Sequence, residues 1–298
     1  MDTSPPPHHR LHRSIRAVCT NYVLPFGDDW MNRRLDRLFR GDGPNWLPAP
    51  GRGQWPTMVL DVSHTLQRKF YYFPKLHGRY YGKLPFRRYL AERLQPGSTF
   101  LDIGSNVGFF SLLAAQLVGP DGKVYAFEPD PAIHEALTRS ASANQFAHLE
   151  TFRVALSDHH DESTFYRAKD GTANSLVPEA PGREHRYTEQ LVTQVTTLDR
   201  LASAGKISVD NIALLKVDVE GEEARVVAGM RETLQAASYP PIWCEVRGPE
   251  GSTRAPNTFT AVCDQLAPLG YQPFRWTPDG PQSVTSVSKR ADILFERA

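Results

Sequence analysis

The sequence has few cysteines and no excess of charge of either sign. Its three cysteines, Cys19, Cys244 and Cys263, are odd in number and far apart in 298 residues, which argues against a disulfide framework or a clustered zinc site. Lys and Arg number 34 against 33 Asp and Glu, a formal net charge of +1, so no global field draws the chain toward nucleic acid or a membrane surface. Nowhere do roughly 18 apolar residues run uninterrupted, the length a spanning helix needs. The start, Met1-Asp-Thr-Ser-Pro-Pro-Pro-His-His-Arg10, has no apolar stretch behind a basic one, so neither a secretory leader nor a transmembrane segment is expected. These absences predict a cytoplasmic protein whose partners are chosen by local sites.

Against that background one stretch stands out, Thr99-Phe-Leu-Asp-Ile-Gly-Ser-Asn-Val-Gly-Phe-Phe-Ser111. An apolar run that ends in acid, glycine and small polar residues reads as a buried strand turning into a helix. Gly104 permits the sharp bend, and Gly108 lets the helix N-terminus approach the strand. The N–H groups of this turn are expected to face an anionic group. A helix over Phe109 to Val118 and a second apolar strand, Lys123-Val-Tyr-Ala-Phe-Glu128, follow. Glu128 ends that strand about twenty residues past the turn, the spacing at which a carboxylate accepts both hydroxyls of a ribose. The dinucleotide fingerprint G-x-G-x-x-G is missing, and Asp102 lies on the strand itself, where it would repel a diphosphate and suit an amine. S-adenosylmethionine, with its ribose, amine, carboxylate and sulfonium, fits such a pocket better than a nicotinamide dinucleotide.

Leu101-Asp-Ile-Gly-Ser-Asn-Val-Gly108, Phe127-Glu-Pro129 and Leu215-Lys-Val-Asp-Val-Glu-Gly221 resemble the three signature blocks of the FkbM-type S-adenosylmethionine-dependent methyltransferases. The resemblance runs from about Gly97 onward. It implies an α/β, Rossmann-like sheet of seven strands, mostly parallel with the last antiparallel, helices on both faces, and methylation of a hydroxyl on a sugar, glycolipid or secondary-metabolite acceptor. It also implies a cofactor site at Asp102, Gly104, Ser105, Asn106, Gly108 and Glu128, with Ala155, Leu156 and Ser157 near the adenine. Ala155 would leave room for the ring, and Ser157 or Asp158 would meet its exocyclic amine; an ordinary turn explains the same residues equally well. Asn174-Ser175 matches a polar position of the family.

The remaining chain divides into an extension and linker over 1–57, a hairpin and helix over 58–96, and a catalytic domain over 97–298. In the extension, Asp28 to Phe39 has helical apolar spacing, and Gly41 to Pro56 reads as a linker. Met58 to Val62 is expected to pair with Lys69 to Phe73, ahead of a helix over Pro85 to Leu94. His8, His9, His12 and His185 read as solvated. Residues 1–95 hold roughly twice as many basic as acidic side chains. Arg33, Arg34, Arg37, Arg40, Arg87, Arg88 and Arg93 read mainly as solvated helix faces, and otherwise as a lid over a phosphorylated substrate; no recognition motif accompanies them.

Two further apolar strands, Ile212 to Asp218 and Pro241 to Val246, place Asp218 and Glu245 at the carboxyl edge where ligands of open α/β sheets collect. These two are the candidate catalytic groups, as base and electrostatic partner of a methyl transfer to oxygen. Glu220, Glu222 and Glu223 read as complements of a helix N-terminus. No third ligand accompanies Asp218 and Glu245, so no metal is assigned. A nicotinamide-dependent oxidoreductase and a non-catalytic cofactor-binding module remain as alternatives.

Overall fold

The computed structural model describes residues 46–49, 56–64, 67–68, 71, 84–168, 174–176, 187–249 and 257–297. The expected helix over Asp28 to Phe39, the histidines at 8, 9, 12 and 185 and the arginines at 33, 34, 37 and 40 lie outside them. Among the described residues no helix is long and apolar enough to cross a membrane.

The glycine turn is flanked by the predicted elements. Strand β3 is Thr99–Ile103, helix α2 is Phe109–Val118, strand β4 is Lys123–Phe127 and helix α3 is Pro131–Ala143. Asp130 caps α3 by accepting from the N–H groups of Ala132 and Ile133, with Pro131 in the first turn, where its missing N–H costs nothing. Numbered in chain order, the other strands are β1 Trp46–Ala49, β2 Met58–Asp61, β5 Leu149–Phe152, β6 Ala155–Leu156, β7 Asp161–Ala168, β8 Tyr187–Thr196, β9 Ile212–Val217, β10 Ile242–Val246, β11 Tyr271–Thr277, β12 Gly280–Ser283 and β13 Ala291–Arg297. The other α-helices among the described residues are α1 Leu84–Arg93, α4 Leu198–Ser203, α5 Glu223–Ala228, α6 Arg231–Ala236 and α7 Thr258–Leu266.

The main sheet has eight strands in the order β12-β11-β13-β10-β9-β3-β4-β5. Strands β5, β4, β3, β9 and β10 are parallel, and β13 runs antiparallel between β10 and β11. The antiparallel last strand agrees with expectation. The count exceeds the expected seven by β12, a four-residue edge strand hairpinned onto β11. Its sequence, Gly-Pro-Gln-Ser, carries no apolar alternation and was not legible as a strand.

Side-chain alternation along these strands feeds two cores. Leu101, Ile103, Tyr125, Phe127, Leu215, Val217, Cys244 and Val246 enter one, shared with α4 to α7. Phe100, Val124, Ala126, Leu214 and Trp243 enter the other, shared with α1, α2 and α3. Helices thus cover both faces, and β3 is buried along its whole length, as a strand central to a parallel sheet must be. Helix α1 belongs to the second core: the Phe86 ring lies 4.7 Å from Phe110 and 5.0 Å from Trp243.

Two local expectations are corrected. Strand β2 pairs with β1, from the segment read as a linker, and Tyr71, the described residue of 69–73, is helical rather than extended. This hairpin is tied to α3, since the Val59 N–H donates to Ser140 Oγ at 2.8 Å and Asn144 Nδ2 donates to the Thr57 carbonyl at 2.6 Å. Ala155 and Leu156 form β6 of a separate sheet ordered β6-β8-β7. Strands β7 and β8 of that sheet make a long antiparallel hairpin.

Candidate active site

The turn after β3 closes on β4 through its own backbone. The N–H groups of Gly104 and Ser105 donate to the Phe127 carbonyl at 3.1 and 3.0 Å, and Gly108 donates to the Ser105 carbonyl at 3.0 Å. The Asn106 N–H donates to Glu128 Oε2 at 3.0 Å, and that of Val107 to the Asn106 side chain at 2.7 Å. The N–H groups from 104 to 108 are therefore bonded within the protein, and the expectation that they face an anion is corrected. Positive φ angles at Gly104, Asn106 and Gly108 give the turn its shape. The glycines answer to protein packing: a Cβ on Gly104 would stand 2.0 Å from the Asp218 carbonyl oxygen, and one on Gly108 2.2 Å from Leu137 Cδ1.

Glu128 lies at the carboxyl end of β4, 6% exposed. Burial pushes its carboxyl up to about 8, against the N–H groups of Asp130 and Asn106 that favour its charged form. Each oxygen accepts one backbone N–H, at 2.9 and 3.0 Å, and a carboxylate oxygen with one donor keeps a lone pair for a second. The pair of oxygens therefore suits two vicinal hydroxyls. Asp102, set by the sequence against a ligand amine, is fully buried; its carboxylate accepts from Ser111 Oγ at 2.6 Å and pairs with Lys216 at 3.1 Å. In this structure it fixes the turn from beneath.

Ala155 and Leu156, expected near an adenine, are buried and paired with Val195 and Thr196. The Ser157 hydroxyl, wholly buried, donates to Glu222 and Asp158. A second tie crosses this region: Arg167, on β7, forms a two-pronged pair with the buried Asp130 at 2.7 and 2.9 Å. Asn174 adds a bond to Asp130 at 3.1 Å, and Ser175 donates to the Glu220 carbonyl at 3.0 Å. The β7–β8 hairpin is thus anchored to the same edge of the sheet as Glu128.

Asp218 and Glu245 do converge, and a third acid joins them. Carboxylate oxygens of Asp218, Glu220 and Glu245 lie within 4.8 Å of one another. Glu220, read from sequence as a helix-dipole residue, reaches the cluster because its φ of 56° turns the backbone after β9. The missing third ligand is therefore present, yet cations already pair with this group. Arg247 binds Glu220, Arg290 binds Glu220 at 3.1 Å and also Glu245, and Lys216 lies 3.5 Å from Asp218. Burial opposes the charge on Arg290, but Glu245, Glu220 and Asp218 together raise its pKa above the usual range. Side-chain exposure ranks the acids, with Asp218 at 19%, Glu220 at 12% and Glu245 at 6%. Behind them Glu223 is buried, accepts the Gly221 N–H at 2.8 Å, and is pushed by burial up to about 7.

Sequence reasoning missed the roles of Lys216, Glu220, Arg247, Arg290, Asp130 and Arg167. A signal existed for Lys216, a lone cation inside the apolar run Ile212-Ala-Leu-Leu-Lys-Val217, because a charge in a central strand requires a buried partner. None existed for Arg290, whose position is set by the approach of β13 to β10.

Curated proteins similar to this chain include the 31-O-demethyl-FK506 methyltransferase FkbM of Streptomyces tacrolimicus, 34% identical over 170 residues, covering 47% of this chain and 62% of that protein. The hexuronic acid methyltransferase AglP of Haloferax volcanii is 26% identical over 154 residues, with 51% and 58% covered. The 2-O-methyltransferase NoeI of Sinorhizobium fredii is 27% identical over 156 residues, with 49% and 62% covered. The chain thus spans about three fifths of the length of these relatives. The family profile described as the methyltransferase FkbM domain matches residues 102–273, a span that runs from Asp102 at the glycine turn past both catalytic candidates, and this chain belongs to that family.

Proposed function

We propose that the protein is an S-adenosylmethionine-dependent O-methyltransferase acting on a hydroxyl of a sugar-like, glycolipid or secondary-metabolite acceptor. The observation that carries this reading is the buried Glu128 carboxylate, held by two backbone N–H groups at the end of β4, within a chain of the FkbM family. The two carboxylate acceptors fit the cofactor at its ribose: two hydroxyls would donate to the two Glu128 oxygens. When bound, S-adenosylmethionine supplies an electrophilic methyl group on a sulfonium. Buried Ala155, Leu156 and Ser157 line the adenine side in this reading, and Gly104, Ser105, Asn106 and Gly108 shape the turn beside it.

The chemistry left to the protein is positioning and proton removal. The acid cluster would orient the acceptor hydroxyl and accept its proton on a carboxylate, as the hydroxyl oxygen takes the methyl group from the sulfonium and the bonding pair stays on sulfur, which leaves as the thioether S-adenosylhomocysteine. Asp218 is the better base of the two candidates, since it is the most exposed of the three acids. Glu245 and Glu220, held by Arg247 and Arg290, supply a fixed charge frame. The acceptors named for the FkbM and AglP relatives, and the O-methylation named for NoeI, support the acceptor class. The buried free thiol of Cys244, raised in pKa by burial, accords with a reducing, cytoplasmic setting.

Calorimetry with S-adenosylmethionine and S-adenosylhomocysteine tests the assignment: both are expected to bind without added metal. Failure of either to bind the folded protein, with binding of a nicotinamide dinucleotide instead, would overturn it. Mass-shift screening of sugar and lipid extracts for a gain of one methyl group then identifies the acceptor.

A further inference from the structure

Lys216, next to the carboxyl end of the otherwise apolar strand β9, is 3% exposed. Its register partner on β3 is Asp102, and its ammonium lies 3.1 Å from Asp102 Oδ1, 3.2 Å from the Gly104 carbonyl oxygen and 3.5 Å from Asp218 Oδ2. The Phe110 ring closes another side, with its centroid 5.9 Å from Nζ. A buried ion pair is seldom the most stable way to fill a core, because two charges must be stripped of water. Packing alone would be served as well by two apolar side chains. What the ammonium adds is a link: one group touches the strand acid below the turn, the turn's own carbonyl, and the acid at the reacting edge.

We infer that Lys216 is a positioning residue that couples the cofactor turn to the catalytic edge, holding the Gly104 carbonyl and the Asp218 carboxylate in one geometry and setting the charge behind the ligand's sulfur. The ammonium lies 3.5 Å from Asp218 Oδ2 and offsets its charge; a cationic sulfonium gains from a carboxylate without that ammonium beside it and a neutral thioether does not, so the ammonium evens the grip on S-adenosylmethionine and S-adenosylhomocysteine. A purely structural lysine would weaken both ligands alike when lost.

This inference rests on the proposed cofactor site, and the test separates the two. Calorimetry measures both ligands against the unaltered protein, Lys216→Met, Lys216→Arg and the double variant Asp102→Asn with Lys216→Met, which leaves no buried carboxylate unpaired. In Lys216→Met, S-adenosylhomocysteine is expected to weaken about tenfold or more and S-adenosylmethionine less. Their affinity ratio then moves about threefold or more toward the sulfonium, an effect of the size expected for a charge acting through a partly screened site. Lys216→Arg is expected to restore the original ratio. The double variant is expected to fold and to bind both ligands about tenfold more weakly, since the carbonyl and Asp218 have lost their anchor. Equal weakening of both ligands in Lys216→Met, or unaltered affinity in the double variant, overturns the inference; if Lys216→Met does not fold, the double variant decides. Absence of binding by the unaltered protein defeats the cofactor assignment instead.

Discussion

The two halves of the candidate site sit on the same edge of one sheet and are built by different physics. The glycine turn is held by backbone: its N–H groups from 104 to 108 are bonded to neighbouring protein acceptors, and its glycines sit where a Cβ would collide at 2.0 to 2.2 Å. The acid edge is held by side chains, with two carboxylates from the turn after β9 and one from β10, paired with Lys216, Arg247 and Arg290. Backbone-held geometry does not depend on any one side chain, whereas at an edge held by buried ion pairs the loss of one partner leaves the other charge uncompensated. In the proposed function the turn takes the cofactor and the edge the acceptor.

The sharpest way to break this comparison is Gly104→Val. The branched side chain meets the Asp218 carbonyl as well as a strained φ, so both halves move together, and stability is expected to fall by about 3 kcal/mol or more. Cofactor binding should be lost with it. Thermal denaturation and calorimetry check both, and an unchanged melting temperature would show that turn and edge do not touch as described.

Next in size is Glu128→Ala, which acts on the turn side alone. Losing a charged acceptor for two ribose hydroxyls is expected to cost about 2 to 4 kcal/mol of S-adenosylmethionine affinity. An unaltered dissociation constant rejects the ribose assignment.

Asp218→Asn acts on the edge alone. Turnover on an identified acceptor should drop about a hundredfold, while cofactor affinity changes less than about tenfold. Glu245→Gln should cost less, about tenfold, because that carboxylate is the more buried of the two. Reversal of this order in steady-state kinetics would make Glu245 the base.

The smallest effect is a pH dependence that sharpens the contrast. Burial raises the carboxyls of Glu128 to about 8 and Glu223 to about 7, so the folded protein holds protons that the unfolded chain releases near its ordinary value of 4.5. That contribution to stability is complete below the unfolded value and is lost as pH rises through about 7 and 8. Ligand hydroxyls that donate to Glu128 favour its charged form. Affinity for S-adenosylmethionine should therefore rise between pH 6 and 8, by about tenfold per unit at most, with proton release visible in buffers of different ionisation heat. Glu128→Gln should flatten the profile; an affinity that falls over this range contradicts the role given to Glu128.

The sequence by itself determined the order of the catalytic elements. The run Thr99 to Val118 reads directly as strand, turn and helix, because apolar continuity and two glycines are local properties of the chain. It likewise placed Glu128, Asp218 and Glu245 at or just past strand ends, since a charge that stops an apolar run marks where burial stops. Only the tertiary structure decided who faces whom. Register set Lys216 opposite Asp102 across 114 residues of sequence, the backbone after β9 carried Glu220 into the acid cluster, and the return of the chain before β13 brought Arg290 onto it. It also gave β2 its partner from a segment rich in glycine and proline, and added β12 to the edge. Periodicity reports which residues are buried; the identity of a buried charge's partner depends on strand register and chain crossing, and one strand's pattern carries no record of its neighbour's.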